Sequence, residues 1–246
     1  MFSPSDRAAL RAALLDRARA DSRISAAALT GSAAETKEDQ WSDIDLAFAA
    51  ADISAALADF TAYLYDSHAA VHHTDIQAGP WTYRVFLLAN TLQVDLAFVP
   101  PDHFRALAPT FQLVFGEANP PAHMPPPAAE PVIGMAWLHA LHARSALHRN
   151  HLWQAACMAE GVRNHALTLA CLRLDLPAAH ARGFDRLPAA ITAPLAAAFP
   201  AQLTPAALRD AFEAATHALL AEIQHADPAL AARLRAPLLE LIQPPF

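Results

Sequence analysis

Lysine is almost missing from this chain of 246 residues: Lys37 stands alone, and 17 basic residues face 24 acidic ones for a net charge of −7. A protein that grips a nucleic-acid backbone carries a basic patch, whereas these arginines are scattered among carboxylates, so nucleic acid is not an expected partner. Glycine is scarce too, with six in the whole chain, which leaves few sites for a flexible lid. The two cysteines, Cys157 and Cys171, fall in one helical pattern. At ~1.5 Å rise per residue they stand about 21 Å apart, beyond disulfide reach. Neither has a second cysteine beside it at metal-site spacing, and both read as small buried apolar residues. Hydrophobic content is 54%, inflated by alanine, yet no apolar run approaches the ~18 residues that crossing a bilayer needs. No membrane span is therefore expected. The opening Met-Phe-Ser-Pro-Ser-Asp leads into an amphipathic helix with Arg7, Arg11 and Arg17 and lacks the apolar core of a signal peptide, which points to a cytoplasmic location.

What is present divides in two. Residues 4 to 20 read as a helix, with Pro4 near its start and Leu10, Leu14 and Leu15 on one side. Strands are expected near 26–30 and 43–49, then a helix over 53–67 with Leu57, Phe60 and Leu64 on one face. A hairpin follows, Trp81 to Ala89 and Leu92 to Val99, turning at Asn90-Thr91. Prolines 120, 121, 125, 126, 127 and 131 then exclude a continuous helix or a central strand. The expected division is a first domain over 1–116, a proline-rich linker over 117–131 and a second domain over 132–246. That last part shows only helical patterns, over 132–150, 152–174, 188–199, 204–226 and 228–242, with Thr204-Pro205 as N-cap and first helical position. The fold class is α+β: a mixed sheet with flanking helices, followed by an α-helical bundle.

The chemistry concentrates in Thr30-Gly31-Ser32, ten residues, then Asp43-Ile44-Asp45-Leu46. Residues two apart on a strand share a face, so Asp43 and Asp45 should point out of the sheet together while Ile44 and Leu46 enter the core. Two neighbouring carboxylates in a half-buried strand cost several kcal/mol each to desolvate unless a cation compensates them. Magnesium answers this, taking one or two protein carboxylates and filling its other positions with water and phosphate oxygens. Gly31 permits a tight turn after a short apolar strand, and Ser32 offers a hydroxyl and an N–H where a helix begins, a favourable place for an anion.

This arrangement, in LTGSAAETKEDQWSDIDLAF, resembles the nucleotidyltransferases of the DNA polymerase β superfamily, in particular the small-molecule group that contains aminoglycoside and lincosamide nucleotidyltransferases. The resemblance covers about the first hundred residues. It implies a third carboxylate on a neighbouring strand, and Asp95 in LQVDLAFVP is the matching position. It also implies that Asp43, Asp45 and Asp95 hold two magnesium ions and that an NTP, with ATP the expected donor, is gripped through Gly31 and Ser32. The helical bundle would help hold a small-molecule hydroxyl acceptor, in a cleft between the domains. The acidic balance suits a cationic acceptor such as an aminoglycoside. Many relatives carry Arg-Gly soon after the serine. Here Ala33, Ala34, Glu35 and Thr36 follow, and Glu35, Glu38 and Asp39 would oppose a triphosphate unless turned away. Two further readings come with that departure: a protein-modifying, antitoxin-type adenylyltransferase, and a nucleotide-binding module without turnover.

Lys37 is a candidate phosphate contact, set against the simpler reading of a solvated loop cation. Glu160, the sole acidic residue between Glu130 and Asp175, is either an alternative to Asp95 as general base, or an acceptor clamp, or the surface partner of Arg163 at i,i+3. Trp153 is set between a stacking surface for a nucleobase or sugar and a core residue, and reads as core. His139 and His142 have metal-ligand spacing but lack a third ligand, so zinc is not expected.

Overall fold

The computed structural model describes residues 1–123 and 125–243. It divides into two compact units, Met1–Met124 and Pro125–Phe246.

The first unit is a six-stranded mixed sheet. Its strands are β1 (Ile24–Thr30), β2 (Ile44–Ala50), β3 (Ala70–Ala78), β4 (Trp81–Leu88), β5 (Gln93–Val99) and β6 (Phe111–Phe115), in the order β3-β4-β5-β2-β1-β6. The central pair β2 and β5 is parallel, and every other pairing is antiparallel. The expected strands and hairpin are all there. Both outer strands, β3 and β6, were absent from the sequence reading because they lack a clean apolar alternation: β3 is exposed along most of its length, and β6 is short.

Alternation along the strands splits the sheet into two unlike faces. On one, Ile44, Leu46, Phe48, Phe86, Val94, Leu96 and Phe98 pack against α1 (Pro4–Ala20) and α3 (Ile53–His68) through Leu10, Leu14, Phe60 and Leu64. Phe48, Phe60 and Phe98 form a three-ring cluster with centroids 5.1 to 5.6 Å apart. Helix α1 starts as its sequence dictates: the Ser3 hydroxyl accepts from the Asp6 N–H, the Asp6 carboxylate accepts from the Ser3 N–H, and Pro4 occupies the first helical position. The opposite face carries small residues, Ala26, Ala28, Ala47, Ala49 and Ala97, bordered by Trp81, Val99 and Phe104.

The second unit is wholly helical among the described residues: α4 (Ala129–His148), α5 (Leu152–Arg173), α6 (Ala189–Ala196), α7 (Pro205–Ala226) and α8 (Pro228–Leu241), with two short 3-10 turns. The Thr204 hydroxyl caps α7 by accepting from the Ala207 N–H, and Asp227 caps α8 in the same way through Leu230. Its core runs through Ala136, Ala140, Val162, Ala166, Leu208, Phe212, Leu219 and Ile223. A two-pronged pair between the Arg173 guanidinium and the buried Glu222 carboxylate, at 2.8 and 2.9 Å, ties α5 to α7. Two single-residue expectations change here. Trp153 is 81% exposed rather than core, because it stands in the first turn of α5, and Cys157 is exposed while Cys171 is buried.

Candidate cation and nucleotide site

The parallel register of β2 and β5 places Asp45 directly beside Asp95, and Asp43 lies one residue before β2 begins. All three carboxylates offer oxygen atoms that lie within 4.8 Å of one another, and each residue is half-buried. Among the described residues no other group of histidine, cysteine, aspartate and glutamate comes together in this way. The alternation that sends Ile44 and Leu46 into the aromatic core leaves the acids on the alanine face. At 4.8 Å two carboxylate charges repel by roughly 3 kcal/mol in an effective dielectric near 20, so three together are strongly opposed without a cation.

The electrostatic consequence falls on Asp95. Burial first, and the neighbouring Asp43 charge as well, push its carboxyl up to about 6, against an opposing hydrogen bond from Gln93. Gln93 was not singled out in the sequence, although its position two residues before Asp95 on the same strand face was the available signal. Its side-chain amide donates both to Asp95 Oδ1 at 3.1 Å and to Asp43 Oδ2 at 3.3 Å.

Gly31 explains how the turn reaches this cluster. Its φ of +61° is the left-handed conformation that glycine tolerates, and a Cβ added there would lie 2.0 Å from Asp45 Oδ2. The backbone thus passes against the carboxylate so closely that no side chain fits. Gly31 and Ser32 open the short helix α2 (Gly31–Ala34), and Ser32 is half-buried beyond the end of β1.

The acidic loop that follows is tied to α1. The buried Arg7 guanidinium donates to the carbonyl oxygens of Asp39 at 2.6 Å and Ser42 at 2.8 Å, and its Nε lies 3.0 Å from Glu38 Oε1. Arg11 pairs with the same Glu38 carboxylate, which is 20% exposed. Asp39 accepts from the Trp41 N–H and the Ser42 hydroxyl, and these hydrogen bonds hold its carboxyl below the usual range. Glu38 and Asp39 are thereby engaged with the protein itself. Lys37 is 71% exposed and pairs with Glu35 at 3.3 Å. Trp41, two residues before Asp43, is exposed.

Glu160 lies on α5 in the second unit, 57% exposed, and accepts from Arg163 at 3.1 Å. The Arg163 guanidinium is itself buried and sits 3.8 Å from the centre of the Phe199 ring. The i,i+3 pair weighed in the sequence is therefore formed. His139, the other residue with suggestive spacing, directs Nδ1 at the Met135 carbonyl at 2.7 Å.

The donor set fits a hard divalent cation: three carboxylates, no nitrogen or sulfur, at partial burial. Asp43, Asp45 and Asp95 are the residues that would hold it.

No family model matches the chain. No curated protein matches it either. Among solved structures, it is similar to an aminoglycoside 6-adenyltransferase from Bacillus subtilis at 14% identity and a TM-score of 0.43, over 93% of this chain and 95% of that one. No described helix is long and apolar enough to cross a membrane.

Proposed function

We propose that the protein is a magnesium-dependent nucleotidyltransferase that moves a nucleoside monophosphate from an NTP, with ATP the favoured donor, to a hydroxyl of a small molecule and releases pyrophosphate. The observation that carries this reading is the convergence of Asp43, Asp45 and Asp95 on a sheet face that Gly31 brings within contact of the Gly-Ser turn. A carboxylate cluster alone is a common surface feature. This one is built into paired central strands with a backbone turn fitted against it, which supports the reading.

The chemistry asks for alignment and neutralisation more than for covalent work by the protein. The acceptor oxygen forms a bond to the α-phosphorus as the bond to the pyrophosphate oxygen breaks, and the hydroxyl proton must leave. Two magnesium ions, when bound, would offset the charge of the triphosphate and of the departing pyrophosphate. Asp43 and Asp45 would hold that positive charge on the central strand pair, and Asp95 would complete the set. Asp95 would also accept the hydroxyl proton, through whichever of its oxygens the cation leaves free. Gly31 and Ser32 bring backbone and hydroxyl to the phosphates, and the pairing of Glu38 with Arg7 and Arg11 removes one carboxylate from their path. Lys37 becomes a phosphate contact in this reading if it leaves Glu35, a surface pair worth at most about 1 kcal/mol. Glu160 is the alternative candidate for the base or for an acceptor contact. A cationic acceptor such as an aminoglycoside is favoured by the acidic balance of the chain.

The test is magnesium-dependent pyrophosphate release from each of the four NTPs, screened against aminoglycosides, lincosamides and a metabolite extract. Release that needs one acceptor and disappears in Asp45→Ala, with the variant still folded, is the expected result. Labelling of a protein partner on Tyr, Ser or Thr in place of a small molecule would move the acceptor to the protein-modifying class, and turnover unchanged in Asp45→Ala would remove the assignment.

A further inference from the structure

The Gln93 amide is in an unusual position for a neutral side chain. One nitrogen, with two hydrogens, meets two carboxylates that belong to different strands of the chain, Asp95 on its own β5 and Asp43 at the entry to β2. Only the NH2 end of the amide can satisfy such a pair, because its oxygen would face two acceptors. Each hydrogen has one acceptor, and the two carboxylates are drawn toward a common donor although their charges repel.

We propose that Gln93 is a positioning residue of the cation site, holding Asp43 and Asp95 in a metal-ready arrangement by donating one hydrogen to each. The inference rests on the reading of Asp43, Asp45 and Asp95 as cation ligands. A carboxylate has about four acceptor directions, so the Gln93 bonds occupy one on each acid and leave the rest for a cation. Partners that orient ligands in this way commonly change metal affinity by 10–100-fold when removed. The side chain is exposed and lies outside both hydrophobic clusters of the sheet. The effect of its loss therefore falls on the ligands and spares the fold. Without it, Asp43 and Asp95 lose their shared donor, and the cation itself must gather them.

The experiment is a titration of the full chain with Mn2+ alone, with free Mn2+ followed by electron paramagnetic resonance and no nucleotide present. Wild type, Gln93→Met, Gln93→Ala and Asp45→Asn are compared, with metal-free melting temperature as the measure of folding. Gln93→Met and Gln93→Ala are each expected to raise the Mn2+ Kd by about tenfold with melting unchanged. Mn2+ binding by either Gln93 variant equal to wild type overturns the role of Gln93 while leaving the cation site standing. Binding by wild type no better than by Asp45→Asn overturns the cation site and the role of Gln93 with it.

Discussion

The two faces of one sheet divide the labour of the first unit. On one, strand positions 44, 46, 48, 94, 96 and 98 carry Ile, Leu, Phe, Val, Leu and Phe, and two helices seal them from water. On the other, positions 45, 47, 49, 95, 97 and 99 carry Asp, Ala, Ala, Asp, Ala and Val. The same two strands therefore supply a packed aromatic core and a cluster of carboxylates, one residue apart. What this teaches is how carboxylates can be held rigidly at partial burial: the large side chains fix the strands, and the acids inherit that rigidity.

The comparison can be broken first from the packed side. Phe48→Ala removes a ring from the three-ring cluster and should destabilise the protein by about 3–5 kcal/mol in denaturant unfolding, the usual cost of a Phe-sized cavity. A cost below about 1 kcal/mol would mean that the aromatic face is not what anchors β2 and β5.

A smaller effect on stability but a sharper one on the site is expected at Gly31. Gly31→Ala meets both a left-handed φ and Asp45 Oδ2, whereas Gly79→Ala meets a left-handed φ of +59° and open space. Each should lose about 1–2 kcal/mol through backbone strain. Metal-dependent NTP turnover should fall at least about a hundredfold in Gly31→Ala and stay unchanged in Gly79→Ala, since a misplacement of about 1 Å at a site costs on that order. Equal activity in the two variants would show that the close approach to Asp45 is incidental.

The smallest effect concerns Asp95 and depends on pH. Its folded-state carboxyl, at about 6, lies above the ordinary value of 3.8, so the folded protein keeps the proton to higher pH than the unfolded chain. That contribution is fully present below about pH 4 and is lost as pH rises through about 6. Asp95→Asn should accordingly raise the melting temperature of the metal-free protein by about 2–5 °C at pH 8, and the difference should shrink to nothing near pH 4. A pH-independent difference would place the perturbation elsewhere.

Much of this contrast was legible in the sequence because it rests on short-range periodicity. Asp43-Ile44-Asp45-Leu46 declares two faces by alternation alone, and the hairpin around Asn90-Thr91 fixes the face that Asp95 shares with Gln93. The long helices of the second unit were legible for a related reason, since proline at the first helical position and a Thr or Asp cap are local signals. What escaped depends on partners distant in the chain. The edge strand β3 exists because β4 pairs with it, and its own residues, His72-His73-Thr74-Asp75, announce no buried face. The engagement of Glu38 by Arg7 and Arg11 spans a helix-to-loop contact that no spacing rule encodes. The double donation by Gln93 required the register of β5 against β2. Trp153 misled because its residue type argued for burial while its place at the start of α5 left it in solvent.

The most direct measurement is calorimetric titration of a non-hydrolysable ATP analogue into wild type and Asp45→Asn, with and without magnesium, both proteins shown to be folded. The account predicts that wild type binds the analogue only with magnesium present and that Asp45→Asn loses that dependence together with most of the affinity. Binding of equal strength in both proteins, indifferent to magnesium, would contradict it.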